Sequence, residues 1–208
     1  MTEPGLFIPR GPAAAELRFK NSRFIGHAVP CPCPADGDAL LARLRREHDR
    51  ADHHVFAWRT RDARTGRITH RFDDDGEPGG TAGRPVLQLL EAQRVVNGAI
   101  VVVRYFGGIK LGAGGLVRAY AATAGAALQA AGLEPLILTR RMGIEVDYAQ
   151  LSAVTALLER EGLAIRERGF AGVPRLLVDV PVDRWAGLAA ELREATAGRA
   201  RLHEAAEA

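Results

Sequence analysis

An α+β protein of two domains is the fold class this sequence predicts, on three observations. A chain of 208 residues is long enough for one large or two small hydrophobic cores. A buried-type strand, Ala99 to Tyr105, runs into a glycine-dense loop and a small-residue helix, after which Gly132 to Pro135 reads as a junction. Beyond it the pattern is strand, helix, strand, strand, helix, strand, the ferredoxin-like order.

The elements follow in turn. Residues 1–15, with Pro4, Gly5, Pro9, Gly11 and Pro12, read as a flexible arm. The first domain spans 16–132. Arg23 to Val29 alternates as a strand, and Asp36 is placed as the cap of a helix through His48 with Leu40, Leu41 and Leu44 on its apolar face. Val55 to Arg61 and Arg67 to Phe72 make a hairpin around Ala63-Arg64-Thr65-Gly66. A helix starts near Arg84-Pro85, where proline is tolerated in the first turn. The strand at Ala99, the glycine loop and a helix from about Leu116 to Ala131 complete the domain. The second domain spans 137–203. Leu138 to Val146 is a strand, and Asp147 and Gln150 have capping-box spacing at the head of a helix that Gly162 stops. Strands at Leu163 to Gly169 and Arg175 to Val180, a helix capped by Asp183 and a short strand near Arg199 to His203 follow. Residues 204–208 are a tail.

Composition excludes several classes. An apolar fraction of 47% with 25% charged residues is ordinary for a globular protein. No apolar run approaches the roughly 20 residues that span a bilayer. The start, MTEPGLFIPRGP, lacks the basic end and apolar core of a secretory signal, so a cytoplasmic location without membrane attachment is expected. A formal charge of +3 does not make the whole molecule a strongly basic nucleic-acid binder. The basic residues are heavily biased, because lysine occurs only at positions 20 and 110. Lys110 falls inside the glycine loop, where an ammonium acts as a compact point charge. Cys31 and Cys33 stand too close in sequence to bridge without strain, and no second pair completes a zinc site. Reduced thiols are expected.

The stretch VVVRYFGGIKLGAGGLVRAY, Val101 to Tyr120, carries the main functional candidate. Gly107, Gly108, Gly112, Gly114 and Gly115 let the backbone turn tightly and leave N–H groups uncovered. The adjoining helix start attracts anions through unpartnered N–H groups and the positive dipole end. Arg104, Lys110 and Arg118 flank or occupy the loop, so phosphate is the natural ligand. The competing reading, on equal terms, is that the glycines only permit close packing of strand on helix. The loop is no P-loop, since no Lys-Ser/Thr pair follows the last glycine. Nor does it keep the dinucleotide-binding G-x-G-x-x-G register.

Two further segments lie upstream. One is Phe72-Asp73-Asp74-Asp75-Gly76-Glu77-Pro78-Gly79-Gly80-Thr81-Ala82-Gly83-Arg84-Pro85; the other comprises Ser22-Arg23-Phe24 and Ala51-Asp52-His53-His54. Together with RYFGGIKLGAGGLVRAY they closely resemble the IMPACT/YigZ family, over roughly Glu16 to Ala131, and the chain is similar in size to the bacterial two-domain members. Gly79-Gly80 is a small departure, since many relatives carry serine before the GTAG run. The resemblance implies a first domain like the second domain of ribosomal protein S5 and a C-terminal domain like the fifth domain of elongation factor G. It further implies a non-enzymatic cytoplasmic regulator of translation, linked to stress and initiation, that binds RNA or a ribosome-associated complex. No cofactor and no metal are implied, and a homo-oligomer is compatible with the resemblance. Eukaryotic relatives bind their signalling partner through an additional N-terminal domain that this sequence does not contain, so that partnership is not implied. The alternative is a binder of a nucleotide or phosphorylated small molecule, or a phosphotransferase, since GHMP-type kinases resemble the same fold.

Secondary candidates are weighed on chemistry. Asp73, Asp74, Asp75 and Glu77 have the residue types that hold Mg²⁺ with phosphate oxygens; loop carboxylates that bond their own backbone and cap the next helix are the favoured explanation. His53 and His54 point to opposite faces of a strand and cannot readily chelate one metal together; one of them can pair with Asp73 to Asp75 as acid and base, while a satisfied structural histidine is the more common outcome. Arg23, Arg59, Arg61, Arg64, Arg67 and Arg71 share strand and hairpin positions, with Phe24, Phe56, Trp58, Tyr105 and Phe106 among them. Such a sheet face can hold a phosphate backbone and stack bases, while strand aromatics more often belong to a core.

Overall fold

The computed structural model describes residues 5–63, 65–170 and 172–205. The chain divides into two compact units, Met1–Leu136 and Ile137–Ala208.

The first unit is built on a five-stranded antiparallel sheet. Its strands are β2 (Ala13–Phe19), β3 (Ser22–Pro30), β4 (His53–Arg61), β5 (Ile68–Asp73) and β6 (Gly98–Tyr105), in the order β2-β3-β6-β4-β5. The central strand β6 reads GAIVVVRY and is buried until its last residue, because both sheet faces are covered. On one face lie α2 (Gly83–Ala92) and α3 (Ala113–Ala131), packing Val86, Leu90, Ala119, Tyr120 and Ala124 against Phe24, Val55, Ile100 and Val102. On the other lies α1 (Pro34–Glu47), whose Leu40, Leu41 and Leu44 meet Ile25, Phe56, Trp58 and Val101. The small residues of α3 are what close packing demands. A Cβ at Gly26 of β3 would stand 2.8 Å from the Thr123 carbonyl oxygen and 3.0 Å from the Ala127 Cβ.

Four expectations need correction here. The arm is structured in part: β1 (Phe7–Pro9) pairs antiparallel with β7 (Leu133–Pro135), and Ala13–Phe19 is the edge strand β2. The prolines and glycines read as breakers sit where strands tolerate them, Pro9 at a strand end and Gly11 and Pro12 between β1 and β2. The stretch expected as a junction likewise contributes β7 to the first unit. Asp36 is not the N-cap of α1. Cys33 is, and Asp36 at the third helical position reaches back to the Cys33 N–H at 3.0 Å, completing a capping box. Helix α3 starts at Ala113, three residues before the expected Leu116. Arg64, residues 1–4 and residues 206–208 lie outside the described residues.

The second unit has strands β8 (Thr139–Glu145), β9 (Ile165–Gly169), β10 (Arg175–Pro181) and β11 (Arg201–Glu204), with α4 (Tyr148–Arg160) and α5 (Trp185–Ala195). The sheet order β11-β8-β10-β9, antiparallel throughout, is the ferredoxin-like arrangement. Met142, Ile144, Leu176, Val178 and Val180 pack on Val154, Leu158, Leu188 and Leu192. The two expected caps fail in detail. Asp147 is the N-cap of α4 but makes no side-chain cap bond, and the Gln150 amide donates instead to the Thr196 carbonyl at 2.9 Å. Asp183 falls within a 3₁₀ turn, Val182–Arg184, that leads into α5. The expected tail begins inside β11, where Glu204 pairs with Met142 and bonds Arg140.

Candidate anion-binding loop

Strand β6 ends at Tyr105 and α3 begins at Ala113, and the segment between them is fastened at its near end. The Phe106 N–H donates to Asp52 Oδ2 at 2.7 Å, and the Gly107 N–H donates to Ser22 Oγ at 3.2 Å. Gly107 lies against the β2–β3 turn so closely that a Cβ there would stand 2.0 Å from the Asn21 carbonyl carbon. Gly115 is similarly close to Leu111, at 2.9 Å. These two glycines serve packing. Gly108, Gly112 and Gly114 do not: all three are exposed, and a Cβ at Gly108 or Gly112 would meet nothing within 4 Å. At Gly108 and Gly112 the requirement is conformational, with φ of +82° and +73°; Gly114 lies within the first turn of α3, where its added Cβ would meet only the Arg118 guanidinium at 3.7 Å. Each of the two readings of the loop therefore describes a different subset of its glycines.

Gly112 is the N-cap of α3, a residue with no side chain to offer, and no acidic residue stands in the first turn. The first helical bond runs from the Leu116 N–H to the Gly112 carbonyl at 2.9 Å. The N–H groups before it have no partner within the helix, and the dipole's positive end is not offset by a carboxylate. Lys110 and Arg118 are exposed beside this start, with the Arg118 guanidinium 3.7 Å from the position a Gly114 Cβ would take.

A residue missed by the sequence argument joins them. Lys20, at the β2–β3 turn, donates from Nζ to the Lys110 carbonyl oxygen at 2.9 Å. It holds φ at +52°, a left-handed conformation that disfavours a non-glycine residue. The only two lysines of the chain thus meet at one exposed loop. Their rarity was the available signal, and a pairing across ninety positions was not.

Arg104 is placed differently from expectation. Its alternation on β6 turns it inward, 5% exposed, where Nη1 donates to Glu77 Oε1 at 2.5 Å. The Tyr120 hydroxyl donates to the same oxygen at 2.6 Å, and His53 Nε2 stands 3.7 Å from it. Burial, reinforced by the Glu77 carboxylate, pushes the Tyr120 phenol far above its ordinary pKa, so it remains a donor. His53 Nδ1 faces the Asp75 carbonyl at 2.8 Å and must carry a proton to bond it. Arg104 is thus part of a buried network under the loop rather than a cation presented to solvent. Its guanidinium carbon lies 5.3 Å from the Phe106 ring centroid.

The acidic loop works as a structural clasp. Asp74 accepts from the N–H groups of Gly80, Ala82 and Gly83 at 2.7, 3.0 and 2.8 Å, capping α2. Asp75, at φ +45°, accepts from the His54 N–H and pairs with Arg45. Asp73 accepts from the Asp75 N–H. No group of three His, Cys, Asp or Glu suited to a metal occurs among the described residues. His54 is buried on the opposite face from His53, and that burial holds its imidazole below the ordinary pKa.

The arginines and aromatics expected on one basic sheet face do not form a single open face among the described residues. Helices cover both faces, and Phe24, Phe56 and Trp58 are core residues. Arg23 pairs with Glu16, Arg71 with Asp38, and Arg59 donates to the carbonyls of Leu90 and Val95. Of the aromatic candidates, Phe106 alone is substantially exposed, at 44%.

Fold and loop together define a two-domain α+β protein that displays an uncapped, glycine-started helix beside paired lysines. Known proteins agree with that class. Residues 20–128 match the family described as the Impact N-terminal domain, and residues 144–199 match a domain of unknown function, DUF1949. The chain belongs to the IMPACT family. It is 35% identical to an IMPACT family member of Haemophilus influenzae, covering 92% of this chain and 93% of that protein. It is 33% identical to the IMPACT family member YigZ of Escherichia coli, over 94% and 95% respectively. A solved structure titled as that of a hypothetical protein superposes with a TM-score of 0.66 at 32% identity, over 98% of each chain. Human Protein IMPACT matches 45% of this chain at 33% identity, and that match covers 29% of the human protein. No helix among the described residues is long and apolar enough to cross a membrane.

Proposed function

We propose that this protein is a cytoplasmic, non-enzymatic regulator of translation that docks on RNA or a ribonucleoprotein through the loop at the start of α3. One observation carries the reading. Lys20 donates to the backbone of Lys110 in the loop that leads into the uncapped start of α3, and Lys110 and that helix lie in a segment, Ala92 to Leu133, without a single Asp or Glu. Such a surface favours phosphate by charge and by geometry. Family membership supports the connection with translation, since the match extends to mammalian Protein IMPACT.

Phosphate contacts make affinity fall with salt, by a slope near −0.7 per contact on single strands. Titrating labelled RNA at two salt concentrations therefore tests the reading directly. Lys110→Ala and Lys20→Ala are each expected to weaken binding about three- to tenfold at low salt and to flatten the salt slope by roughly one contact. Saturable ATP binding with turnover and no RNA binding would replace this function with the phosphotransferase alternative. The open cleft between α2 and α3 does not offer a phosphate site for that alternative. Of about 460 Å³, it is lined by Leu89, Gln93, Gly125, Leu128, Gln129, Gly132 and Leu133, with no charged side chain, toward the far end of α3 from the loop.

A further inference from the structure

We infer that the loop selects single-stranded over duplex polynucleotide, by stacking one base on the outer face of Phe106. This rests on the phosphate-docking reading above and adds the form of nucleic acid that the site takes.

Three apolar side chains stand exposed around the loop. Phe106 leaves a strand of almost continuous core and is 44% exposed, and Ile109 and Val117 nearby are 46% and 37% exposed. An aromatic ring left in water beside glycines is an unspent contact surface. Its inner side is already occupied. The Arg104 guanidinium carbon stands 5.3 Å from the ring centroid, and the same group stands 5.4 Å from Phe24. Arg104 is held there by Glu77, which also takes the Tyr120 hydroxyl. Its Nε is buried and has no partner in the protein. The Phe106 backbone is fixed in turn by its N–H bond to Asp52. The ring is therefore a pre-positioned platform, backed on one side by a cation and open on the other.

Around that platform the charges suit a phosphodiester. Lys20, Lys110 and Arg118 are exposed, and the start of α3 offers its N–H groups. Among the described residues Asp52 is the one carboxylate bonded to the loop, and its Oδ2 is engaged by the Phe106 N–H. A duplex presents phosphates to such a site but keeps its bases paired and stacked. Single-stranded chain alone offers a free π-face next to a phosphate, and sequence-tolerant stacking on aromatics is how such chains are held.

The full-length protein is titrated with a labelled oligo-uridine, an oligo-thymidine of equal length and an RNA hairpin duplex, at low and moderate salt. Both single strands are expected to bind at least tenfold more tightly than the duplex. Phe106→Ala is expected to weaken the single strands about tenfold, to leave the duplex unchanged, and to leave the salt slope unchanged because no phosphate contact is lost. Phe106→Trp is expected to restore affinity and to show quenching of its indole emission by oligo-uridine, beyond that of the unmodified chain with Trp58 and Trp185. Phe106→Leu keeps the bulk without the ring and is expected to behave as the alanine variant. Equal affinity for duplex and single strand, or full affinity in Phe106→Ala, overturns the stacking inference and leaves phosphate docking standing. No binding of any nucleic acid at low salt overturns both.

Discussion

Arg104 shows how much a single residue's meaning depends on which way its strand turns it. In the sequence it stands at the lip of a glycine loop and reads as a phosphate ligand. In the structure it is one of three groups on Glu77 Oε1 in a nearly dry site. Removing one member of a buried ion pair strands the other charge, which typically costs about 3–5 kcal/mol, whereas replacing both with apolar groups costs much less. Arg104→Ala is therefore expected to lower unfolding free energy by about 3–5 kcal/mol in urea titrations, and Arg104→Met with Glu77→Leu by clearly less. Tyr120→Phe, which deletes one donor to a charged group, belongs near 1.5–3 kcal/mol. Lys110→Ala, at an exposed position, is expected to stay within about 0.5 kcal/mol. A stability loss for Lys110→Ala as large as that for Arg104→Ala would contradict the division between a buried network and an exposed loop.

The glycine loop divides similarly at the scale of the element. At Gly107 the obstacle to a side chain is the backbone of Asn21, 2.0 Å from an added Cβ, and a hairpin turn cannot step aside without dragging β2 and β3 with it. Gly107→Ala is expected to cost roughly 3 kcal/mol or more, at the upper end of what overpacking produces. At Gly108 the surroundings are empty, and the cost is that of a positive φ alone, about 1 kcal/mol. Thermal unfolding of the two alanine variants should separate them by several degrees; equal melting temperatures would show that the β2–β3 turn yields. Sequence patterning carried most elements of this unit because apolar periodicity in β3, β6 and the three helices is strong. It could not say which glycines open the loop and which close it, since that depends on a turn more than eighty positions away. Asp74 is the opposite case. Its chemistry as a short carboxylate before a helix made the capping role legible without any long-range knowledge, and the structure uses it three times at the entry to α2, on the N–H groups of Gly80, Ala82 and Gly83.

For the molecule as a whole, the least legible feature was how the first unit closes. The ferredoxin-like order of the second unit could be read directly because each of its elements is regular and of ordinary length. The pairing of Phe7–Pro9 with Leu133–Pro135 joins two three-residue strands, each ending in proline, from opposite ends of the unit, and no local pattern announces such a contact. Its consequence is physical. Backbone bonds tie Phe7 to Arg94 and Val96, Arg10 to Gly132 and Leu136 to Leu6, at 2.8 to 3.1 Å, and Pro9 packs on Gly98 at the start of the central strand. With about 0.5–1.5 kcal/mol net for each of these four bonds, the clasp is worth roughly 2–6 kcal/mol to the first unit. A fragment of residues 1–136 holds both of this unit's cores, which share no residue with the core of the second unit. It is expected to unfold cooperatively in urea and to keep the RNA affinity of the whole chain to within about threefold, since the loop, Lys20 and Phe106 all lie inside it. A fragment of residues 16–132 lacks both strands of the clasp and the first three residues of β2, and is expected to unfold at a lower urea midpoint, its unfolding free energy reduced by at least about 2–6 kcal/mol. Equal midpoints for the two fragments would mean that the clasp only decorates a sheet already stable without it, and that the residues expected as an arm contribute nothing to holding the loop's platform in place.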